Sequence, residues 1–482
     1  MKRSHGEMSA GIAAASGPAS VSATGAVAAG AVRSAYSATA LAGGAAAAVR
    51  AAVLELIFAG AAGGYDAGRY LGEQPELPGP MAVPLTRRAL GALAAQLGNY
   101  VVCEKSDGER AMLFCTPAGG GAAYLLTRSF DVLALARGAE YAALLCGASA
   151  CGGGGGGATL LDGELLLRDD DAGSGTHALA VYMIFDAVAV RGRPVGGAPF
   201  SERMRVIGDE VRLPFRSADD AAAAPAAAAA PRLPLYLLGK LFLPAAAAHE
   251  VLAHIYASSS SSSAAAAALS FSSGATAALE SSGAGAPHRV YRHGARVNGT
   301  DGLVFTPISP TYVGLFGSGA PACAAPLLKW KWADEHTVDF RVRRGDLDAD
   351  EGDTPYNCAR LHPPASGAPP GGVALRVVPL WLAAGGKKEV QVGRALMDAS
   401  GLTAYARLLD ARGVDSIIVE AGYDARASAW AIRRVRDRKT RANHLATAWS
   451  TLEVLAEQLG QKELVETLQQ AGRAAAAPPQ PK

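Results

Sequence analysis

The chain lacks the marks of several protein classes. Its six cysteines, Cys103, Cys115, Cys146, Cys151, Cys323 and Cys358, include no CxxC pair. Neither a zinc site nor a disulfide framework is indicated, which fits a reducing compartment. No stretch is apolar enough over bilayer length to read as a transmembrane helix, so no membrane partner is expected. Net charge is only +2 over 482 residues, which argues against a general nucleic-acid coat and leaves room for a local basic groove. No Asp or Glu occurs between Glu7 and Glu55. The Ala/Gly/Ser-rich residues 1–75 therefore read as a disordered low-complexity tail, with a short helix over Ala46–Phe58. Alanine and glycine are over-used, so the 50% hydrophobic fraction overstates the core. The length still allows two or three domains.

Against these absences stands one charged stretch, Cys103-Glu104-Lys105-Ser106-Asp107-Gly108-Glu109-Arg110. Apolar runs lead into it (Tyr100–Cys103) and out of it (Ala111–Phe114), which reads as strand, tight turn, strand with Asp107-Gly108 as the turn. Lys105 then ends a buried strand with its amine aimed into a cleft. A lysine becomes a nucleophile once its proton is removed, and burial or nearby cations depress its pKa. Arg110 adds a guanidinium suited to a phosphate or a sugar hydroxyl. The same pattern also reads as a charged surface hairpin, and the motif alone leaves both open.

Lys105-x-Asp107-Gly108-x-Arg110 resembles the signature of covalent nucleotidyltransferases, the mRNA capping guanylyltransferases and polynucleotide ligases. With Leu77-Pro78-Gly79-Pro80 and Asn99–Gly108, the wider pattern looks like the capping branch. The resemblance implies an α+β chain: an ATP-grasp-like antiparallel-sheet nucleotidyltransferase domain over 76–332 and an OB-fold β-barrel over 333–440. A closing helix over 441–472 packs on the first domain, and 473–482 is a disordered tail. It also implies a reaction. Lys105 attacks the α-phosphate of GTP, releases pyrophosphate and carries GMP as a phosphoamide. The GMP then passes to a 5′-diphosphate RNA end, with Mg²⁺ or Mn²⁺ screening the phosphates.

Further motifs follow in family order. Arg87–Leu97 has helical spacing, Ala123–Thr127 reads as a strand before Arg128, and Ser201–Val211 again has helical spacing. Thr159–Leu167 places Asp162 and Glu164 inside an apolar strand, where a buried charge needs a partner or ligand. It resembles the Asp-Gly-Glu-Leu motif, which gives Glu164 a role on the ribose or a metal. Leu179–Phe185 reads as a strand buried on both faces; the resemblance makes Phe185 the ring that stacks on guanine, and a plain core role stays open. Leu235–Leu243 reads as a strand carrying Lys240, which resembles the family lysine near the base and phosphates. Thr300–Pro307 resembles the fourth motif, with Asp301 as a candidate ligand for the divalent ion.

In Leu327–Lys331, alternation places Lys329 and Lys331 on one face, suited to the α-phosphate and to holding Lys105 neutral. Thr337-Val338-Asp339-Phe340 resembles capping enzymes rather than ligases. Short strands at Leu375–Leu380, Lys388–Val392 and Ile417–Glu420 suit a small barrel, and Asp346–Asp353, without EF-hand spacing, reads as a solvated loop. Trp430–Lys439 resembles the last motif. Arg436 and Lys439 match its pyrophosphate grip, while Arg438 occupies the family's Asp position. His444–Leu468 then reads as one helix with Leu445, Trp449, Leu452, Leu455 and Leu459 at helical spacing. Glu104, Arg110, Arg128, Glu164, Phe185, Lys240, Lys329 and Lys331 form the expected nucleotide-binding set.

The runner-up is an ATP-dependent ligase with the same lysine chemistry; a degenerate scaffold rests on Arg438 alone. No His-Cys-x5-Arg phosphatase loop and no alternating-glutamate strand set is visible, so a separate RNA triphosphatase is implied as a partner. The phosphorylated tail of RNA polymerase II is a further implied partner, and the nucleus the implied location. The acid-poor, Ser/Ala-rich start also resembles an organelle transit peptide.

Overall fold

The computed structural model describes residues 38–59, 70–72, 77–147, 156–168, 179–211, 233–257, 289–293, 296–316, 325–348, 375–386, 388–424, 428–436 and 439–476. The first part of the chain runs β1 (Ala38–Ala40), α1 (Gly43–Ile57), β2 (Val83–Pro84), α2 (Arg87–Ala95), β3 (Tyr100–Ser106), β4 (Glu109–Thr116), β5 (Ala122–Thr127) and β6 (Val132–Leu135). It continues through α3 (Gly138–Cys146), β7 (Thr159–Arg168), β8 (Leu179–Val190), β9 (Arg193–Pro194), α4 (Phe200–Glu210), β10 (Leu235–Gly239) and β11 (Leu243–Pro244). Then come α5 (Ala248–Ala253), β12 (Ile255–Ala257), β13 (Arg289–His293), β14 (Arg296–Pro307) and β15 (Leu328–Lys331).

These strands form two sheets. The first has the order β1-β6-β5-β4-β7-β8-β10, with β9 on β8; the second has the order β11-β3-β14-β13-β12, with β15 on β14 and β2 on β15. Pairing is antiparallel apart from β10 on β8 and β2 on β15. The first sheet is buried on both faces. Along β4, Ala111, Leu113 and Cys115 enter a core shared with α3 and α4. Met112 and Phe114 enter a second core with Val49, Val53, Leu54 and Ile57 of α1. Period-two alternation feeds both faces, so the strand reads as one continuous apolar run. The second sheet packs on Leu90 and Leu93 of α2, Val251 and Leu252 of α5, and the last helix.

Four expectations change here. The Lys105 motif is not a hairpin: β3 pairs with β14 and β11, whereas β4 pairs with β5 and β7. Asp107-Gly108 carries the chain from one sheet to the other, and the space is tight. A Cβ on Gly108 would lie 2.6 Å from the Leu165 carbonyl oxygen and 2.8 Å from Glu164 Cγ. Leu235–Leu243 is likewise not one strand, because β10 ends at Gly239 in the first sheet and β11 starts at Leu243 in the second. Lys240 sits at this second crossing, its N–H on the Ile184 carbonyl at 2.8 Å. The segment 1–75 is not wholly a tail: β1 pairs with β6, and Val53 and Leu54 of α1 are fully buried. Residues 1–37 lie outside the described set, as do 151–155, 258–288 and 477–482. Finally, the expected loop over Asp346–Asp353 begins inside a short helix, Arg344–Asp348, with 349–353 outside the described residues.

Past Lys331 the chain builds β16 (Thr337–Arg343), α6 (Arg344–Asp348), β17 (Leu375–Ala383), β18 (Glu389–Asp398), α7 (Ala399–Arg412), β19 (Ser416–Asp424) and β20 (Ala429–Val435). The five strands close a barrel in the order β16-β17-β18-β20-β19. The closing pair β18–β20 is parallel, and α7 lies between β18 and β19 in the chain. Two helices follow, α8 (Leu445–Glu457) and α9 (Gln461–Ala476), where one was expected. Gln458 adopts a left-handed φ of 52° and breaks the run ahead of Gly460. The break splits the packing. Ala448, Leu445 and Leu452 of α8 join the barrel core, while Leu464 and Leu468 of α9 join the core of the second sheet. Trp449, expected on the apolar face, is 64% exposed.

Candidate active site

The two crossings define a cleft between the sheets, and Lys105 lies at its edge on β3. Thr300 Oγ1 donates to the Lys105 carbonyl at 2.7 Å and fixes the backbone there. Opposite, β14 pairs Thr300 with Ser106 and Gly302 with Lys105, which leaves Asp301 as the extra residue of a β-bulge. A bulge re-aims a side chain. Here it turns the Asp301 carboxylate onto the Lys105 ammonium, 2.9 Å from its Oδ1, and onto Lys331. Lys331 arrives from the far side of β14, since it pairs with the same Gly302. Leu328 and Trp330 enter the core, so Lys329 and Lys331 share the cleft face, as alternation predicts.

The electrostatics differ from expectation. Burial acts to lower the pKa of Lys105, but Asp301, Glu164 and Asp107 outweigh it and raise the value. Lys105 is an ammonium here, not the neutral amine expected from its cationic neighbours. The depressed amine is Lys329: burial, then Lys331 and Lys105, bring it to about 8. Burial alone would raise Asp301, but the two lysine ammoniums reverse this and hold it at about 2. Glu164 goes the other way: burial lifts it to about 7 against the pull of Lys105, Lys240 and Arg110. His336, which the motifs did not single out, follows β15 into the same field. Burial, Lys331 and Lys329 depress it to about 4.

Behind the nucleophile strand, Glu104 is fully buried. Its Oε1 accepts from Ser106 Oγ at 3.1 Å and lies 3.7 Å from Lys240 Nζ. Glu104 Oε2 and Asn298 Oδ1 have no hydrogen-bond partner among the described residues. Arg110 is largely committed: Nε and Nη2 bind Asp162 at 3.0 and 2.6 Å, and Nη1 donates to the Pro80 carbonyl at 2.7 Å. Its expected place as a direct phosphate ligand gives way to an ion pair with Asp162. Phe185 is the extra residue of a bulge on β8, between partners of Asp162 and Gly163, and its ring centroid lies 5.9 Å from the Arg110 guanidinium carbon. Its side chain is half-buried. Arg128 is exposed at the end of β5 and acts on Lys329 through charge alone.

On the barrel, Arg436 pairs with Glu420 and lies 3.7 Å from Asp339, while Lys439 pairs with Asp339. Arg434, 2.9 Å from Glu420, also feels Asp107 of the nucleophile motif. The basic grip is thus neutralised by barrel acids. Asp437 and Arg438 lie outside the described residues, so the departure at Arg438 has no structural description. The linker is anchored too. Arg289 of β13 binds Asp334 at 2.9 Å and Glu335 at 2.8 Å and stacks 4.4 Å from the Trp332 ring; Arg433 donates to the Asp334 carbonyl.

Among the described residues no three His, Cys, Asp or Glu side chains converge to hold an ion. Of the two carboxylates expected to meet a divalent ion, Asp301 faces the ammoniums of Lys105 and Lys331, and Glu164 is raised by burial. Cys103, Cys115 and Cys146 are buried thiols; the other three cysteines lie outside the described residues.

Comparison with known proteins finds a matching domain and low-similarity structures. Two solved ligase structures resemble the chain at low similarity. A mycobacterial DNA ligase D complexed with ATP and MES has 13% identity and a TM-score of 0.29, covering 75% of this chain and 94% of its own. The ligase domain from M. tuberculosis LigD has 14% identity and a TM-score of 0.24, covering 70% and 90%. Residues 66–255, which hold Lys105, Arg110, Glu164, Phe185 and Lys240, match the family described as mRNA capping enzyme, catalytic domain. Through that region, about two fifths of its length, the chain is similar to the mRNA capping enzyme catalytic domain.

Proposed function

We propose that the protein is an mRNA guanylyltransferase. The observation that carries this reading is Lys105 at the edge of a cleft, flanked by Lys329 and Lys331, within a region that matches the capping catalytic domain. Lys105 Nζ attacks the α-phosphorus of GTP, a P–N bond forms, the bond to the bridging oxygen breaks, and pyrophosphate leaves. GMP then moves to the terminal phosphate of a 5′-diphosphate RNA, and Lys105 is restored.

Each neighbour has a task. The Nζ proton must leave before attack. Glu164, raised to about 7 and acted on most strongly among charges by Lys105, titrates in the range suited to receive it. Incoming phosphates compete with Asp301 for Lys331 and take up Lys329, so charge developing at the α-phosphate meets preplaced cations. Phe185 stacks on the base, with Lys240 beside it. The barrel then closes, and Arg436 and Lys439 exchange Glu420 and Asp339 for the β- and γ-phosphates. A divalent ion enters with the triphosphate. The barrel's strand order, its parallel β18–β20 pair and the placing of α7 support an OB-type fold. The expected partners, a separate triphosphatase and a phosphorylated polymerase tail, and a nuclear location, remain part of this proposal.

The test is nucleotide choice. Incubation with α-labelled GTP or ATP and Mg²⁺ or Mn²⁺, followed by denaturing electrophoresis, should label the protein with GTP in preference to ATP. Preferential labelling by ATP reverses the reading in favour of a polynucleotide ligase.

A further inference from the structure

Tyr312 lies outside every motif, yet four distant segments meet at its hydroxyl. The side chain is fully buried. Its OH donates to Asp162 Oδ2 at 2.6 Å, and Arg110 Nη2 donates to the tyrosine oxygen at 3.3 Å. Pro80 supplies the carbonyl on Nη1, and Gly79 closes over the group so tightly that a Cβ there would lie 2.1 Å from Arg110 Nη2 and 2.9 Å from the Tyr312 oxygen. The backbone of Tyr312 is tied down as well, its N–H on the Gly196 carbonyl at 2.8 Å.

Counting donors shows what this arrangement leaves open. A guanidinium has five N–H bonds. The Nε bond goes to Asp162, the two on Nη2 go to Asp162 and Tyr312, and one on Nη1 goes to Pro80. Among the described residues the fifth meets only the thioether of Met81 at 3.6 Å, and Met81 is 54% exposed. A thioether is a weak acceptor, and a sugar hydroxyl arriving at the same place is a better one. The guanidinium carbon meanwhile lies over the Phe185 ring, 5.9 Å from its centroid. A bidentate pair alone leaves Arg110 free to tilt about the carboxylate; the added contacts, Pro80 on Nη1 and Tyr312 on Nη2, fix its plane.

We propose that Tyr312 is a positioning residue for the nucleoside: it locks the Asp162–Arg110 pair so that one guanidinium N–H is presented to the sugar of a nucleoside whose base stacks on Phe185. The proposal rests on the nucleotidyltransferase reading above. It assigns Tyr312 to ground-state binding, away from the bond-making atoms, so its loss should act on KM rather than kcat.

The experiment compares wild type, Tyr312→Phe, Arg110→Lys and the double variant. It measures equilibrium binding of GTP and ATP, kcat and KM for adduct formation, and thermal midpoint. Tyr312→Phe should weaken binding of the preferred nucleotide about tenfold, the scale of one lost hydrogen bond, with KM rising in step and kcat within about twofold. In the Arg110→Lys background the same change should add less than about twofold, because Tyr312 acts through Arg110. Unchanged affinity in folded Tyr312→Phe, or additive losses in the double variant, overturns the proposal. Should Tyr312→Phe fail to fold, Tyr312→Met, which also removes the hydroxyl and leaves the Asp162–Arg110 ion pair in place, takes its role; the same loss of affinity is expected, and wild-type affinity in that folded protein overturns the proposal. Wild-type protein that binds neither nucleotide overturns the nucleotidyltransferase reading along with this one.

Discussion

Lys105 and Lys331 pair with the same residue, Gly302, from opposite sides of β14, and both ammoniums meet the carboxylate of Asp301. Gly302 has no side chain to separate them, and a Cβ there would fall 1.9 Å from the Trp330 carbonyl oxygen. One acid thus holds two cations that the reaction needs elsewhere. Asp301→Asn should free Lys105 from its strongest stabilising charge while burial and the other lysines remain, so its pKa falls. Reaction of Lys105 with an amine-selective reagent, followed by peptide mass spectrometry across pH, should begin at lower pH in the variant. An unchanged profile contradicts the assignment.

Glu164 gives a pH signature. Its carboxyl is raised to about 7, so the carboxylate proposed to receive the Lys105 proton grows in as pH rises through that value. Adduct formation at saturating nucleotide should increase between about pH 6 and 8, and Glu164→Gln should lose that inflection and run about 10²-fold slower or worse. The stability sign follows the same shift. An acid whose folded pKa is raised stabilises below its unfolded value, and that contribution is lost as pH rises through about 7. The thermal midpoint of Glu164→Gln should therefore gain on wild type over that rise. A rate inflection that persists in Glu164→Gln places the proton on another group.

The barrel residues separate the two chemical steps. On the proposed mechanism Arg436 is needed while GTP loses pyrophosphate and not after. Arg436→Ala should slow enzyme–GMP formation by about 10²-fold, the scale for one aligned electrostatic donor, and affect transfer from preformed enzyme–GMP much less. Loss confined to the transfer step would show that the grip is built from other residues.

Burial now predicts stability where composition pointed to a tail. Leu54→Ala on α1 removes a fully buried side chain from the core beneath the first sheet and should cost about 2–5 kcal/mol in chemical denaturation. Trp449→Ala on α8 should change stability by no more than about 0.5 kcal/mol, since the side chain is mostly exposed. Equal effects would contradict this packing.

Much of the site was legible because strand periodicity is local. Alternation placed Lys329 and Lys331 on one face, and the apolar runs located β3, β4, β7 and β8. What the sequence concealed is pairing. Nothing in Lys105–Arg110 distinguishes a hairpin from a crossing between sheets, because both need a tight turn of small residues. Bulges are equally silent: Asp301 and Phe185 are the extra residues of β14 and β8, a property of register with neighbouring strands. The Arg110–Asp162–Tyr312 contact joins residues 202 positions apart at its widest, and only Asp162, as a buried charge in search of a partner, hinted at it. Helix α1 was expected over Ala46–Phe58 and forms over Gly43–Ile57; its packing was hidden because alanine-rich sequence looks alike in a tail and in a close-packed helix, and Ala46, Val49, Val53, Leu54 and Ile57 carry the burial.

The central claim is that Lys105 carries the nucleotide. The most direct measurement is mass spectrometry of protein incubated with α-labelled GTP and a divalent ion, mapping the labelled peptide in wild type and in Lys105→Ala. A GMP phosphoamide on Lys105 in wild type, with no label on folded Lys105→Ala, is the predicted result. Label on Lys105→Ala, or on a wild-type peptide that lacks Lys105, would contradict it.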